Sequence, residues 1–276
     1  MSSPFLPPRP NVYEIHSRAL YLTIPVPLSL CMSLTAPPCS PDLHNGEAFI
    51  SICIDDLHSL QSYLFGNIYA PTNMGGYMTK LNLLVTSPVP SQTSPVHGYQ
   101  ILSLDFEKGV AGFVKRLGAL VTQKVPSYGG VTYRSTLGKA GRTRTADNMA
   151  AGSDLNVSMS SSSGTSLVNV KGKLRPLNSK EATFASFVVS RPHKFLHQNK
   201  TTMAWSMWGD GWSSPTEGIM AVDLTACDVT GILEREFGSE NFRKFFPEGM
   251  DVSKVKAILQ PEYTLVDLHN TTLKSK

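Results

Sequence analysis

Apolar and polar residues alternate with a period of two along several stretches of this chain. Between Gly46 and Asp55, the residues Ala48, Ile50, Ile52 and Ile54 fall on one face, which predicts a strand. Gly75 to Val85, opened by two glycines, predicts a second strand. His97 to Leu104 predicts a third that pairs with it across the Pro/Ser-rich turn between them. Gly130 to Thr136, Asp154 to Ser160 and Ser166 to Leu174 predict further strands, with Ser160 to Gly164 as a hairpin tip. The period changes once. Val110, Phe113, Val114, Leu117, Leu120 and Val121 follow helical spacing, and Asp105 stands where an N-cap is expected. Leu57 to Phe65 reads as a short helical or extended connection. Ala182 to Val189 fits strand or helix, and Val229 to Phe237 predicts a short helix. Gln198-Asn199-Lys200 predicts the turn of a hairpin, and a last strand is expected near Tyr263.

Strands, one central helix and more strands predict a mainly β (α+β) architecture: a largely antiparallel sheet with a few short helices. Residues 1–11 read as a Pro-rich arm and 12–276 as a single domain, with no internal repeat. The composition, 41% hydrophobic and 17% charged over 276 residues, is that of a soluble globular chain. Nineteen prolines suit many turns. No apolar run reaches the roughly 18–20 residues that cross a bilayer, and the N-terminus lacks a signal peptide's basic start and apolar centre. Cys31, Cys39, Cys53 and Cys227 are scattered without a Cys-x-x-Cys pair, so reduced thiols in a cytoplasmic protein are expected. The formal charge of +4 is mild, but Lys108 to Ala146 holds eight basic residues and no acidic one. Part of that run could contact an anionic ligand or lie in solvent. It has no aromatics from Ser135 to Asn148 to stack on bases, so nucleic acid is not the expected partner.

The strongest chemical candidate is the adjacent pair Lys115-Arg116 on the central helix. A fixed cation beside a lysine disfavours its ammonium form and can turn the amine into a nucleophile for carbonyl carbon. On a helical wheel Lys115 lies about 150° from the centre of the apolar face, so it faces either solvent or a cavity on that opposite side. Lys80 is either an outward-facing strand lysine or a second amine or carboxylate-binding cation. Tyr77 and Tyr99 are aromatic strand residues suited to core packing or pocket lining. Trp205, Trp208 and Trp212 cluster in the predicted hairpin, where they pack an edge or line an apolar pocket. His193 and His197 would sit roughly 13 Å apart in a strand, too far to chelate together, so no metal is expected. Asp55, Asp56, Glu107 and Asp210 are carboxylates available for acid–base work. No phosphate loop, dinucleotide glycine motif or nucleophile elbow is present, and no cofactor is implied.

Several of these segments resemble, in the same order, the YqjF-like branch of the acetoacetate decarboxylase-like superfamily. They are the strand Lys80-Leu-Asn-Leu-Leu-Val85, the strand Gly98-Tyr-Gln-Ile-Leu-Ser-Leu-Asp105, the amphipathic helix and the Trp-rich hairpin. That family carries an Asn-Glu-x-Asn-x-Arg strand before a Gly-Val-Tyr-Phe-x-Ser-Leu-Asp strand. Gly109-Val-Ala-Gly-Phe-Val-Lys-Arg-Leu-Gly118 is also similar to the decarboxylases' Tyr-Pro-Lys-Lys-Leu-Gly segment, whose first lysine forms the Schiff base. The resemblance implies a large cone-like β-barrel with a buried pocket. It places Lys115 at the Schiff-base lysine and Arg116 at the neighbouring cation. The family's acidic residue falls at or next to Lys80, a change of charge that departs from simple acetoacetate decarboxylation.

The expectation is a lyase- or cyclase-type enzyme of small-molecule biosynthesis, acting on a β-keto or polyketide-like substrate with Lys115 as amine, Arg116 as its tuning cation, and Lys80, Tyr77, Tyr99, Trp205 and Trp208 near the substrate. The alternative is a barrel that binds a hydrophobic ligand, or shapes it toward cyclisation, without lysine chemistry. The partner expected is a small molecule, not nucleic acid or membrane, and a homo-oligomer stays open.

Overall fold

The computed structural model describes residues 12–37, 39–64, 68–72, 76–87, 96–107, 126–137, 150–189, 195–198, 205–208, 212–213, 218–266 and 271–273. Among them are fifteen strands in one sheet. In chain order these are β1 (Val12–Val26), β2 (Ser40–Pro41), β3 (Ala48–Leu64), β4 (Ile68–Thr72), β5 (Gly76–Ser87), β6 (Val96–Glu107), β7 (Ser127–Ser135), β8 (Asp154–Ser160), β9 (Ser166–Pro176), β10 (Phe195–Gln198), β11 (Trp205–Trp208), β12 (Trp212–Ser213), β13 (Met220–Asp228), β14 (Lys256–Val266) and β15 (Thr271–Leu273). Four helices are described: α1 (Leu28–Leu34), α2 (Ser179–Val189), α3 (Thr230–Phe237) and α4 (Ser239–Phe245).

The sheet closes. From β6 the pairing runs through β7, β8, β9, β13, β14, β1, β3 and β5 and returns to β6. Closure removes the unpaired edges that an open sheet of this size would expose. Most neighbours are antiparallel, as the alternation predicts. The two exceptions both involve β6, which runs parallel to β7 and to β10. A parallel neighbour needs a crossover of a dozen or more residues, and the chain between Glu107 and Ser127 supplies that length.

Alternation divides the core between the two faces of the sheet. Leu20, Leu22 and Ile24 of β1, Ile50, Ile52 and Ile54 of β3, and Leu81, Leu83 and Val85 of β5 point to one face. There they join side chains from every other strand of the closed path, with Ile232 and Leu233 of α3 and Phe242 of α4. This is the interior of the closed sheet. A Cβ at Gly231 would collide with the Ser166 carbonyl, so the glycine lets the first turn of α3 lie directly on β9. On the other face Ala19, Tyr21, Phe49, Cys53, Leu84, Tyr99 and Ile258 pack beneath Phe184, Ala185, Val188 and Val189 of α2. The five strands β14, β1, β3, β5 and β6 thus form a panel buried on both sides.

The structure corrects two readings of local pattern and decides a third. Leu57 to Leu64 is not a connection but the second half of β3. Leu57, Leu60 and Leu64 have helical spacing, yet β1 pairs with this stretch on one side and β4 with part of it on the other, and tertiary pairing overrides the local period. Asp105 is not an N-cap: it is a fully buried residue inside β6. Ala182 to Val189, readable either way, is helix α2. The predicted hairpin is present, with β10 and β11 antiparallel, and β8 and β9 form the predicted pair around Ser160 to Gly164.

Candidate active site

Buried polar groups occur on both faces of the panel, with Arg18, Asp56, Thr79 and Asp105 on the interior face and a second set beneath α2. The register stacks that second set in rows across adjacent strands. Gln260, Ala19, Asp55 and Met78 make one row, Ile258, Tyr21, Cys53 and Lys80 the next, and Lys256, Thr23, Ser51 and Asn82 the third. Each of these residues alternates with an apolar residue on its own strand, which turns it to this face. Phe49, Leu84 and Tyr99 bound the third row on the side of α2.

At the centre is an ion pair. Lys80 Nζ lies 2.7 Å from Asp55 Oδ2, and the two side chains are 3% and 0% exposed. Burial pushes the Lys80 ammonium down, but the charge and hydrogen bond of Asp55 more than offset it, so the group is held above its ordinary value and keeps its proton. The other oxygen of Asp55 accepts from the Cys53 thiol at 3.5 Å. Burial first, and then the Asp55 charge, pushes that thiol well above its usual range, with Lys80 opposing. Cys53 is therefore a protonated, poorly nucleophilic thiol at neutral pH. The Tyr21 hydroxyl is a second hydrogen-bonding neighbour of the thiol and donates to Gln260 Oε1 at 3.1 Å. Lys80, Asp55, Cys53, Tyr21 and Gln260 form one connected polar network in a buried layer.

This network can hold an anion at Lys80 or pass a proton between an amine and a carboxylate. No group of three or more His, Cys, Asp or Glu suited to hold an ion occurs among the described residues.

The predicted site residues separate. Tyr99 shares the face of Lys80, and its hydroxyl donates to the Val188 carbonyl near the end of α2. Tyr77 lies on the opposite face, stacked on Tyr133 with ring centroids 5.2 Å apart. Trp205 and Trp208 end β11, which pairs through β10 with the Tyr99 end of β6. Lys115 and Arg116 lie outside the described residues, in the segment between β6 and β7. The reading of Lys80 as an outward-facing strand lysine does not hold, because α2 and its neighbours bury that face. Asp55 was one carboxylate among several in the sequence; its link to Cys53 and Lys80 needed the β3–β5 register. A second, half-buried ion pair sits on the interior face, where Arg235 of α3 grips Asp105 through two bonds of 2.7 and 2.8 Å. The Arg235 guanidinium lies 3.8 Å over the Tyr128 ring. This pair ties α3 to β6. No described helix is long and apolar enough to cross a membrane.

Known proteins share this architecture without sharing much sequence. No family's sequence model matches the chain, and no curated protein is similar to it in sequence. Among solved structures, an acetoacetate decarboxylase-like enzyme from Sphingomonas wittichii RW1 superposes with a TM-score of 0.56 at 11% identity, over 95% of this chain and 92% of that one. Acetoacetate decarboxylase from Legionella pneumophila gives 0.55 at 8% identity, over 99% and 92%. The enduracididine biosynthesis enzyme MppR, complexed with the condensation product of pyruvate and imidazole 4-carboxaldehyde, gives 0.52 at 12% identity, over 96% and 90%. The chain has the acetoacetate decarboxylase-like fold.

Proposed function

We propose that this protein is a lyase- or cyclase-type enzyme of small-molecule biosynthesis, of the YqjF-like branch, acting on a β-keto or polyketide-like acid. The observation that carries the proposal is the buried Lys80–Asp55 pair in a polar layer between the panel and α2. Burying two charges costs stability that an apolar pair would not. A site that handles a charged carbonyl compound gives that cost a purpose. The fold adds support, since it is shared with an acetoacetate decarboxylase and with MppR, whose bound ligand is a pyruvate condensation product.

In this reading Lys115, the lysine assigned by the resemblance, attacks the substrate carbonyl, with Arg116 lowering its affinity for a proton. The carbinolamine loses water, and the resulting iminium accepts the electron pair of a breaking carbon–carbon bond or, in a dehydration, of an α carbon–hydrogen bond, after which the enamine expels the β-hydroxyl as water. Lys80 holds the substrate's acid group or protonates the departing hydroxyl, and the proton that the Lys115 nitrogen sheds on attack restores Lys80 by way of Asp55. A second reading is favoured by one observation: Asp55 holds the Lys80 proton in place, so the described amine is a cation. On that reading the barrel only binds and shapes an acidic ligand, and no lysine becomes covalent.

Reductive trapping separates the two. The protein is incubated with acetoacetate or pyruvate and borohydride, and the adduct is mapped by peptide mass spectrometry. An adduct on Lys115 supports the Schiff-base enzyme. An adduct on Lys80 moves the nucleophile to the panel. The covalent reading fails if no lysine is modified by either acid.

A further inference from the structure

The third row of the panel has an oddity that the ion pair does not explain. Thr23, Ser51 and Asn82 stand opposite one another on β1, β3 and β5. All three are at most 2% exposed. Thr23 Oγ1, Ser51 Oγ and Asn82 Oδ1 nevertheless lack a hydrogen-bond partner among the described residues. Facing hydroxyls on paired strands ordinarily bond each other. Here neighbouring oxygens on three consecutive strands all leave their capacity unused, although buried polar groups in native proteins are nearly always satisfied. Apolar residues of the same shape would serve folding better at each position.

We propose that Thr23, Ser51 and Asn82 form a subsite for a hydroxyl group of the ligand, placed one side-chain layer along the panel from Lys80. The inference deepens the function proposed above and rests on its claim that an acidic ligand binds at Lys80. The chemistry of the row selects the group. A threonine and a serine hydroxyl each donate one hydrogen bond and accept others, whereas the amide oxygen of Asn82 only accepts. A ligand carboxylate only accepts, so it leaves Asn82 Oδ1 unsatisfied. A hydroxyl does both and completes the row. Lys80 and Asn82 are two residues apart on β5, a rise of roughly 7 Å. The ligand is therefore an acid whose chain carries a hydroxyl several carbons beyond the group held by Lys80, as a partly reduced polyketide-like chain does.

Two unreactive acids test this on the full chain by titration calorimetry: hexanoate and 5-hydroxyhexanoate. The hydroxy acid is expected to bind at least tenfold more tightly to the wild-type protein. In Ser51→Ala and Thr23→Val that advantage shrinks to about twofold or less, while hexanoate affinity is unchanged. Both variants are expected to melt no lower than wild type, because each removes an unsatisfied buried hydroxyl. That combination separates a ligand subsite from a structural role, in which melting would fall and probe preference would stay. Asn82→Leu provides a third variant if either of the others fails to fold. Equal binding of the two acids, or an advantage that survives all the variants, overturns the subsite and leaves water as the partner of these oxygens. If neither acid binds, the subsite and the acid-binding reading beneath it fall together. If hexanoate binds but the hydroxyl adds nothing, only the subsite falls.

Discussion

Lys80 and Asp55 meet at 2.7 Å although they are not partners in register. Lys80 stands opposite Cys53, and Asp55 stands opposite Met78. The lysine therefore leans one row along the panel to reach its carboxylate, a diagonal contact between adjacent strands. That leaning has consequences for stability. Removing one member leaves the other charge buried and uncompensated, at a cost of about 3–5 kcal/mol. Lys80→Met and Asp55→Leu are each expected to lower urea-unfolding stability by that amount. The double variant is expected to recover most of the loss, because an apolar pair replaces a desolvated ionic one. A double variant as unstable as the singles would show that the pair is not what each substitution disturbs.

The same pair sets a pH dependence. Lys80 is held above its ordinary 10.5 in the folded protein. Between the unfolded and folded values the native state binds the extra proton, so stability falls as pH rises through that window. The contribution is complete below about pH 10.5 and is lost above it. Urea melts of wild type and Lys80→Met are expected to differ by a constant amount from pH 7 to 9. The difference shrinks in more alkaline buffer. A difference that closes below pH 9 would contradict the assignment.

Much of this architecture is legible in the residues, and the reason is alternation. The isoleucines of Ala48–Ile54 and the leucines of Leu81–Leu83 point to one face in the sequence and in the interior core alike. The site was less legible for the same reason. Alternation turns Lys80 and Asn82 away from those leucines, and a polar face ordinarily meets water; here that face is buried, and among the described residues α2, distant in sequence, packs on it. The link between Asp55 and Lys80 depends on register, which a period of two does not fix. Asp105 misleads locally because a carboxylate before a helical pattern suits an N-cap, whereas its partner Arg235 lies 130 positions away. Lys115, the residue most prominent in the sequence, lies outside the described residues, so its place relative to Lys80 belongs to the trapping experiment.

The thiols are expected to be silent. Cys31, Cys39, Cys53 and Cys227 are all buried and none is in a disulfide. Burial pushes Cys31 up to about 12 and Cys227 up to about 11. Cys53 is also pushed up, by burial and by Asp55. Native protein at pH 8 should therefore react with none of its thiols over minutes in an aromatic-disulfide assay, and with all four once unfolded in urea. Rapid labelling of Cys53 in the native state would mean that the polar layer opens to reagent or that its thiolate is stabilised.

The cover over the site hangs on one hydroxyl. Tyr99 donates to the carbonyl of Val188, close to the end of α2, where helical carbonyls lack partners of their own. Val188 and Val189 pack on the panel around Tyr99. Tyr99→Phe keeps that packing and removes only the bond, at a cost of about 1 kcal/mol. The loss acts locally, since it frees the end of α2 without disturbing the strand ladder of β6. Amide exchange in the last turn of α2 is expected to rise about fivefold, the factor that 1 kcal/mol represents. Exchange in β3 and β5 should be unchanged. If the probe acids reach Lys80 by displacement of α2, their association rates rise in the same variant. Unchanged exchange in α2 would show that apolar packing alone holds the helix in place.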